Sequence, residues 1–107
     1  MRVIYVAGAY RADSENGVFE NIMCARRAAQ KLWHKGWAVI CPHTNTMFMG
    51  EDKPDLIFLD GDLEILRRCD AIYMLSNWRE SVGAMQERKA AEEWGLEIYF
   101  EGKDGTV

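Results

Sequence analysis

Arg2-Val3-Ile4-Tyr5-Val6-Ala7-Gly8 decides the fold. It is a short apolar run, rich in β-branched residues, that stops at a glycine, the signature of a buried strand feeding a turn. Polar, turn-rich residues follow from Gly8 to Gly17. From Val18 the apolar period becomes helical: Val18, Ile22, Ala25, Ala29 and Leu32 fall on one stripe, with Arg26, Arg27, Gln30 and Lys31 facing away. Gly36 stands where a helix-terminating glycine belongs. The alternation then repeats. Trp37–Cys41 reads as a strand ended by Pro42, His43–Pro54 as an irregular loop and Leu56–Arg68 as a helix. Ala71–Leu75 reads as a strand, Ser76–Val82 as a loop, Gly83–Trp94 as a helix closed by Gly95, and Leu96–Phe100 as the last strand.

Strands alternating with helices predict crossover units and a parallel sheet. The expected fold is a single-domain, three-layer α/β/α unit over residues 1–100, flavodoxin- or Rossmann-like, with about four parallel strands. A polar tail, expected to fray, occupies 101–107. Ligands of such sheets bind outside the carboxyl ends of the strands. Those ends lead here into the loops at 8–17, 42–54 and 76–82.

The 107 residues suffice for one core, and a net charge of −4 argues against an electrostatic footprint for a nucleic-acid polymer or a membrane surface. No stretch approaches the roughly 20 apolar residues of a membrane span. The first residues lack the features of a secretory signal. Cys24, Cys41 and Cys69 form no CxxC pair, and an odd count fits buried packing thiols in a reducing cytosol. A cytoplasmic protein is therefore expected. Four tryptophans and the apolar loop Met47-Phe48-Met49 predict a homodimer or higher homo-oligomer.

Familiar site motifs are missing. Gly8-Ala9-Tyr10-Arg11 is not a GxGxxG turn, no GxxxxGK[ST] or GxSxG occurs, and His34 and His43 are isolated. Neither a metal nor an organic cofactor is expected. The informative residues are two acids on apolar stripes. Asp62 has Phe58, Leu59, Ile65 and Leu66 as its helical neighbours, and Glu87 shares its stripe with Ala84, Ala91 and Trp94. A carboxylate on a core-facing stripe is costly unless paired or used. The two together predict an acid-lined cleft in which Glu87, near a helix N-terminus, stays ionised and Asp62 holds a proton.

The order and spacing of Ile4-Tyr5-Val6-Ala7-Gly8, Asp62, Cys69-Asp70-Ala71-Ile72 and Ser81-Val82-Gly83-Ala84-Met85-Gln86-Glu87, followed by Ala90, resemble the nucleoside 2'-deoxyribosyltransferase superfamily. The resemblance is strongest to its 2'-deoxynucleoside 5'-monophosphate N-glycosidase branch and to small phage and bacterial members. It implies a retaining enzyme that hydrolyses or transfers at the N-glycosidic bond of a nucleoside or its 5'-monophosphate. Glu87 matches the nucleophile, Asp62 the acid serving the leaving base and Tyr5 the strand tyrosine beside the nucleophile. Ser81 falls where the glycosidases carry serine and the transferases an aspartate, and Arg11 matches a basic first-loop residue. Both tilt the substrate toward a phosphorylated nucleotide, with backbone N–H groups around Gly83 assisting.

Gly8, His43 and Trp78 complete the expected substrate contacts. Each of these residues also has a plainer role. Tyr5 packs in the sheet, Ser81 caps a helix, Arg11 is a solvated cation, Trp78 and Trp37 cover the core, and His43 is a loop histidine. The sequence departs from the family at Lys89, which replaces a glycine, in a first loop that is not glycine-rich, and in its short tail. Three alternatives follow: an inactive nucleotide-binding module, a hydrolase of a nucleotide-derived sugar or cofactor on the same fold, and an interaction domain with no small-molecule site.

Overall fold

The computed structural model describes residues 1–47, 49 and 55–102. Four strands, β1 (Val3–Ala7), β2 (Ala38–Ile40), β3 (Ala71–Met74) and β4 (Glu97–Phe100), alternate with α1 (Glu15–His34), α2 (Pro42–Asn45), α3 (Asp55–Arg67) and α4 (Val82–Glu93). The strands form one all-parallel sheet in the order β2-β1-β3-β4. In register, Tyr5 of β1 lies beside Ile40 on one side and Ile72 on the other.

Side-chain alternation along the strands sorts the core into two halves. Ile4 and Val6 pack with Ala25, Ala28, Ala29 and Leu32 of α1. Tyr5 and Ala7 face the other way, into Leu66 of α3 and Ala84 and Ala91 of α4. The three-layer α/β/α architecture expected from the sequence is the one observed. The chain runs from β1 outward to β2, then crosses back to β3 and β4. The switch in strand order therefore falls between β1 and β3, where open α/β sheets form their ligand crevice.

Several local readings change. Helix α1 starts three residues before Val18, because Ser14 caps it: the Ser14 Oγ accepts the Gly17 N–H at 3.0 Å. Gly17 is thus a helical residue, glycine because a Cβ there would meet the Ala12 Cβ at 2.6 Å. The expected loop after Pro42 begins with the one-turn helix α2, with proline at its first position. Trp78–Glu80 forms a 3-10 turn. Gly36 and Gly95 end α1 and α4 with φ of 97° and 73°, the left-handed conformation that favours glycine.

The tail is anchored at its start. The Glu101 N–H donates to the Met74 carbonyl, and the Glu101 carboxylate accepts the Ser76 N–H, both at 2.8 Å. The rest of the expected tail, 103–107, lies outside the described residues, as does Phe48. Cys69 is buried and Cys41 is partly buried against the core, as packing thiols are, whereas Cys24 is exposed on α1, its sulfur accepting from Arg27. Trp94 is 40% exposed at the end of α4, off the buried stripe shared by Glu87, Ala84 and Ala91. Trp37 covers the sheet, edge-on to Tyr99 and under the Arg2 guanidinium. No helix of the described residues is long and apolar enough to cross a membrane.

The closest packing at the carboxyl edge is at Gly8. A Cβ there would lie 2.5 Å from Leu75 Cδ1 and 2.8 Å from both Leu75 Cβ and Asn77 Oδ1. Gly8→Ala must push β1 and the chain after β3 apart, and overpacking of this kind costs about 1–3 kcal/mol. Urea denaturation of Gly8→Ala is expected to show a loss in that range with an unchanged m-value.

Candidate active site

The carboxyl edge of the sheet holds a cleft of about 560 Å³, with walls from the loop after β1, helix α2, helix α3 and the N-terminal half of α4. Of the residues singled out in the sequence, Gly8, Arg11, His43, Asp62, Ser81, Gly83 and Glu87 all line it. Tyr5 lies beneath, fully buried, and its hydroxyl donates to the Glu87 carboxylate. Two predicted acids from different helices and a strand tyrosine thus meet at one place.

Each position has a local cause. The extended backbone of Ser81 starts α4, and its Oγ accepts the Ala84 N–H at 3.1 Å, so Ser81 is an N-cap. From that start Glu87 is the sixth helical residue, on the same face as the buried Ala84 and Ala91. This face packs on Tyr5 and Ile72 of the sheet. Asp62 approaches from α3, one turn after Phe58 and Leu59, which also line the cleft. Asp62 is only partly buried.

The electrostatics correct one expectation. Glu87 was expected to stay ionised through the N-terminus of α4. That field falls off within the first turn, and Glu87 lies beyond it. Burial dominates instead and pushes the carboxyl up to about 7; the Tyr5 hydrogen bond opposes the shift, and the negative charge of Asp62 adds to it. Burial likewise raises Asp62 to about 6. The Tyr5 phenol is driven far above its ordinary value, first by burial and then by the neighbouring Glu87 and Asp62 charges. It therefore stays a neutral hydrogen-bond donor.

His43 lines the cleft from a helical turn, not from an irregular loop. It sits in α2, 5% exposed, with its Nε2 2.9 Å from the Ala9 carbonyl. That contact requires a proton on Nε2 and leaves Nδ1 unprotonated; Nδ1 has no hydrogen-bond partner among the described residues. Burial holds the imidazole below its ordinary value, so it is neutral. Trp78 is not in the cleft lining. It packs at 6.0 Å on Phe100, with the Arg79 and Arg88 guanidinium groups over its ring at 4.6 and 5.4 Å. Its contacts are those of a core cover, not of a base-stacking platform. Lys89, where the resembling family has glycine, is exposed and also outside the lining.

The sequence reading missed Tyr10, Thr46, Glu80 and Gln86. The ring of Tyr10 lies 5.7 Å from that of His43. Only Tyr10 carried a signal, an aromatic two residues after the strand-ending glycine. Among the described residues no group of three His, Cys, Asp or Glu is placed to hold a metal ion. The arrangement can offer a buried carboxyl held by a phenol, a second carboxyl from the neighbouring helix in the same lining, and room for a small organic molecule.

A search of curated proteins finds no match. Among solved structures, the 2-deoxyribosyltransferase of the psychrotolerant bacterium Bacillus psychrosaccharolyticus, described as a biocatalyst for nucleoside synthesis, superposes with a TM-score of 0.65. The superposition covers 92% of this chain and 70% of the other at 18% sequence identity. That likeness establishes the shared fold. The family model described as "Domain of unknown function (DUF4406)" matches residues 2–100, and the chain belongs to that family.

Proposed function

We propose that this protein cleaves the N-glycosidic bond of a nucleoside or nucleoside 5'-monophosphate by a retaining mechanism. The observation that carries the reading is the Tyr5–Glu87 hydrogen bond, buried at the floor of a cleft whose wall bears Asp62. A carboxyl in so apolar a setting lowers stability, which makes a catalytic use the better account of it. The Glu87 carboxylate attacks the anomeric carbon. The carbon–nitrogen bond breaks, its electron pair goes to the base nitrogen, and Asp62 delivers the proton there. Water, or a second base, then resolves the glycosyl-enzyme with Asp62 acting as the base. Tyr5 orients Glu87 throughout.

The protonation states fit this cycle once the cleft is filled. In the empty protein the two carboxyls titrate as a pair and hold one proton between them in the interval from about 6 to about 7. A bound nucleoside would displace water from the partly open Asp62 and raise it further. Glu87, already desolvated, would gain the cationic sugar of the transition state and fall. Desolvation of Asp62 on binding, followed by the positive charge that develops beside Glu87 as the bond breaks, would move the shared proton from Glu87 toward Asp62, the group that must donate it. Ser81 and Arg11 face the same cleft and would contact the far end of the sugar or its phosphate.

The direct test is chromatographic detection of free base from a panel of deoxy- and ribonucleosides and their 5'-monophosphates. Release is expected for at least one class, and Glu87→Gln is expected to lower it at least 10³-fold, as loss of a nucleophile does. Release unaffected by Glu87→Gln would overturn the assignment. The pH dependence of kcat/KM is expected to be a bell with its maximum between pH 6 and 7, since only the singly protonated pair is competent.

Stability supplies a further check. The folded Glu87 carboxyl binds its proton more tightly than the ordinary 4.5 of an unfolded chain, so its ionisation costs stability as pH rises from about 4.5 through about 7. Glu87→Gln, which keeps the shape without the charge, is expected to stabilise the fold by roughly 1–3 kcal/mol at pH 8 and by almost nothing at pH 4. Urea titrations at the two pH values measure the difference.

A further inference from the structure

Three side chains from three different elements converge on consecutive peptide groups of the loop after β1. Asn77, from the turn after β3, accepts the Ala9 N–H on its Oδ1 at 2.9 Å. His43, from α2, donates its Nε2–H to the Ala9 carbonyl at 2.9 Å. Asn21, from α1, donates its Nδ2 to the carbonyls of Tyr10 and Arg11 at 3.1 and 3.2 Å. Ala9 itself is 4% exposed, so neither of its polar groups has bulk water as an alternative partner. The glycine before it belongs to the same device. The Oδ1 of Asn77 lies 2.8 Å from where a Gly8 Cβ would be, so the amide reaches Ala9 only because residue 8 has no side chain.

The segment held in this way carries Tyr10 and Arg11, both of which line the cleft. Asn77 does not line it. Glu87, Asp62 and Tyr5 belong to α4, α3 and β1, and the Glu87 carboxylate is held by the Tyr5 hydroxyl, not by Asn77, His43 or Asn21. The contacts that hold the loop backbone are therefore different from the one that holds Glu87. We propose that Asn77 is a positioning residue for substrate binding: by holding the Ala9 N–H across the β1–β3 switch point, it fixes Ala9–Arg11 as the recognition wall of the cleft. The inference rests on the glycosidic reading for what is bound, but not for the hold itself.

The test compares Asn77→Asp, which keeps the acceptor oxygen, with Asn77→Leu, which keeps the size and removes it. Loss of one buried hydrogen bond corresponds to about tenfold. In Asn77→Leu, KM is expected to rise about tenfold with kcat changed less than about threefold, and in Asn77→Asp both are expected to stay within that threefold range. Hydrogen exchange of the Ala9 amide is expected to quicken about tenfold in the leucine variant only. A fall in kcat at constant KM, or equal effects in the two variants, would overturn the proposal. Should Asn77→Leu fail to fold, Asn21→Asp, which removes the donor to the Tyr10 and Arg11 carbonyls, carries the same KM test. If the unsubstituted protein releases no base from any substrate, the glycosidic reading fails. The hold then stands or falls on the exchange of the Ala9 amide alone.

Discussion

Keeping the Glu87 carboxyl in an apolar interior is the constraint on which the rest of this molecule turns. An isolated carboxylate there is strongly disfavoured, and the fold provides one compensating donor, the Tyr5 hydroxyl. For that donor to arrive, Tyr5 must be on the face of β1 opposite Ile4 and Val6, and α4 must start at Ser81 so that its sixth residue meets the strand. A one-residue slip of β1 would turn Tyr5 toward α1 and leave Glu87 without its donor. Register, helix start and ionisation state are therefore a single linked arrangement.

Much of this was legible in the sequence, because it rests on periodicity. A strand-like run ending in glycine, three helical stripes and glycine stops at Gly36 and Gly95 are local signals, and the parallel sheet follows from their alternation. Asp62 and Glu87 stood out for the same reason, since an acid on a hydrophobic stripe breaks a pattern that can be counted. Where local signals compete, the reading slips. Gly17 looked like a loop glycine because nothing nearby in sequence announces that Ala12 packs against its Cα, while Ser14, the true start of α1, is one more polar residue in a polar stretch. Helix α2 is four residues long, too short for a periodic pattern to register.

The ionisation of Glu87 and the roles of His43, Trp78 and Asn77 were not legible, since they depend on partners distant in the chain. Proximity to a helix N-terminus is visible in the sequence, but the depth to which tertiary packing buries a side chain is not, and at Glu87 burial outweighs the helix field. His43 was correctly placed at a strand's carboxyl end. Its bond to Ala9 spans 34 residues, and that of Asn77 spans 68. Trp78 could as well have faced a ligand; what it packs on is Phe100, brought alongside by β4.

The cleft is built by two kinds of structure with different tolerances. The groups assigned to bond cleavage project from β1, α3 and α4, elements whose positions are set by core packing that changes little on binding. The wall assigned to recognition is a loop, and loops acquire comparable precision only when their backbone polar groups are satisfied by something rigid. Here the satisfying groups are side chains of α1, α2 and the turn after β3, so the loop takes its rigidity from each neighbouring element in turn. Substitutions within Tyr10–Arg11 can therefore alter what the cleft accepts without moving Tyr5 or Glu87. Substitutions in the core that shift β1 against β3 disturb both at once, because the Tyr5 register and the Ala9–Asn77 bond cross the same pair of strands.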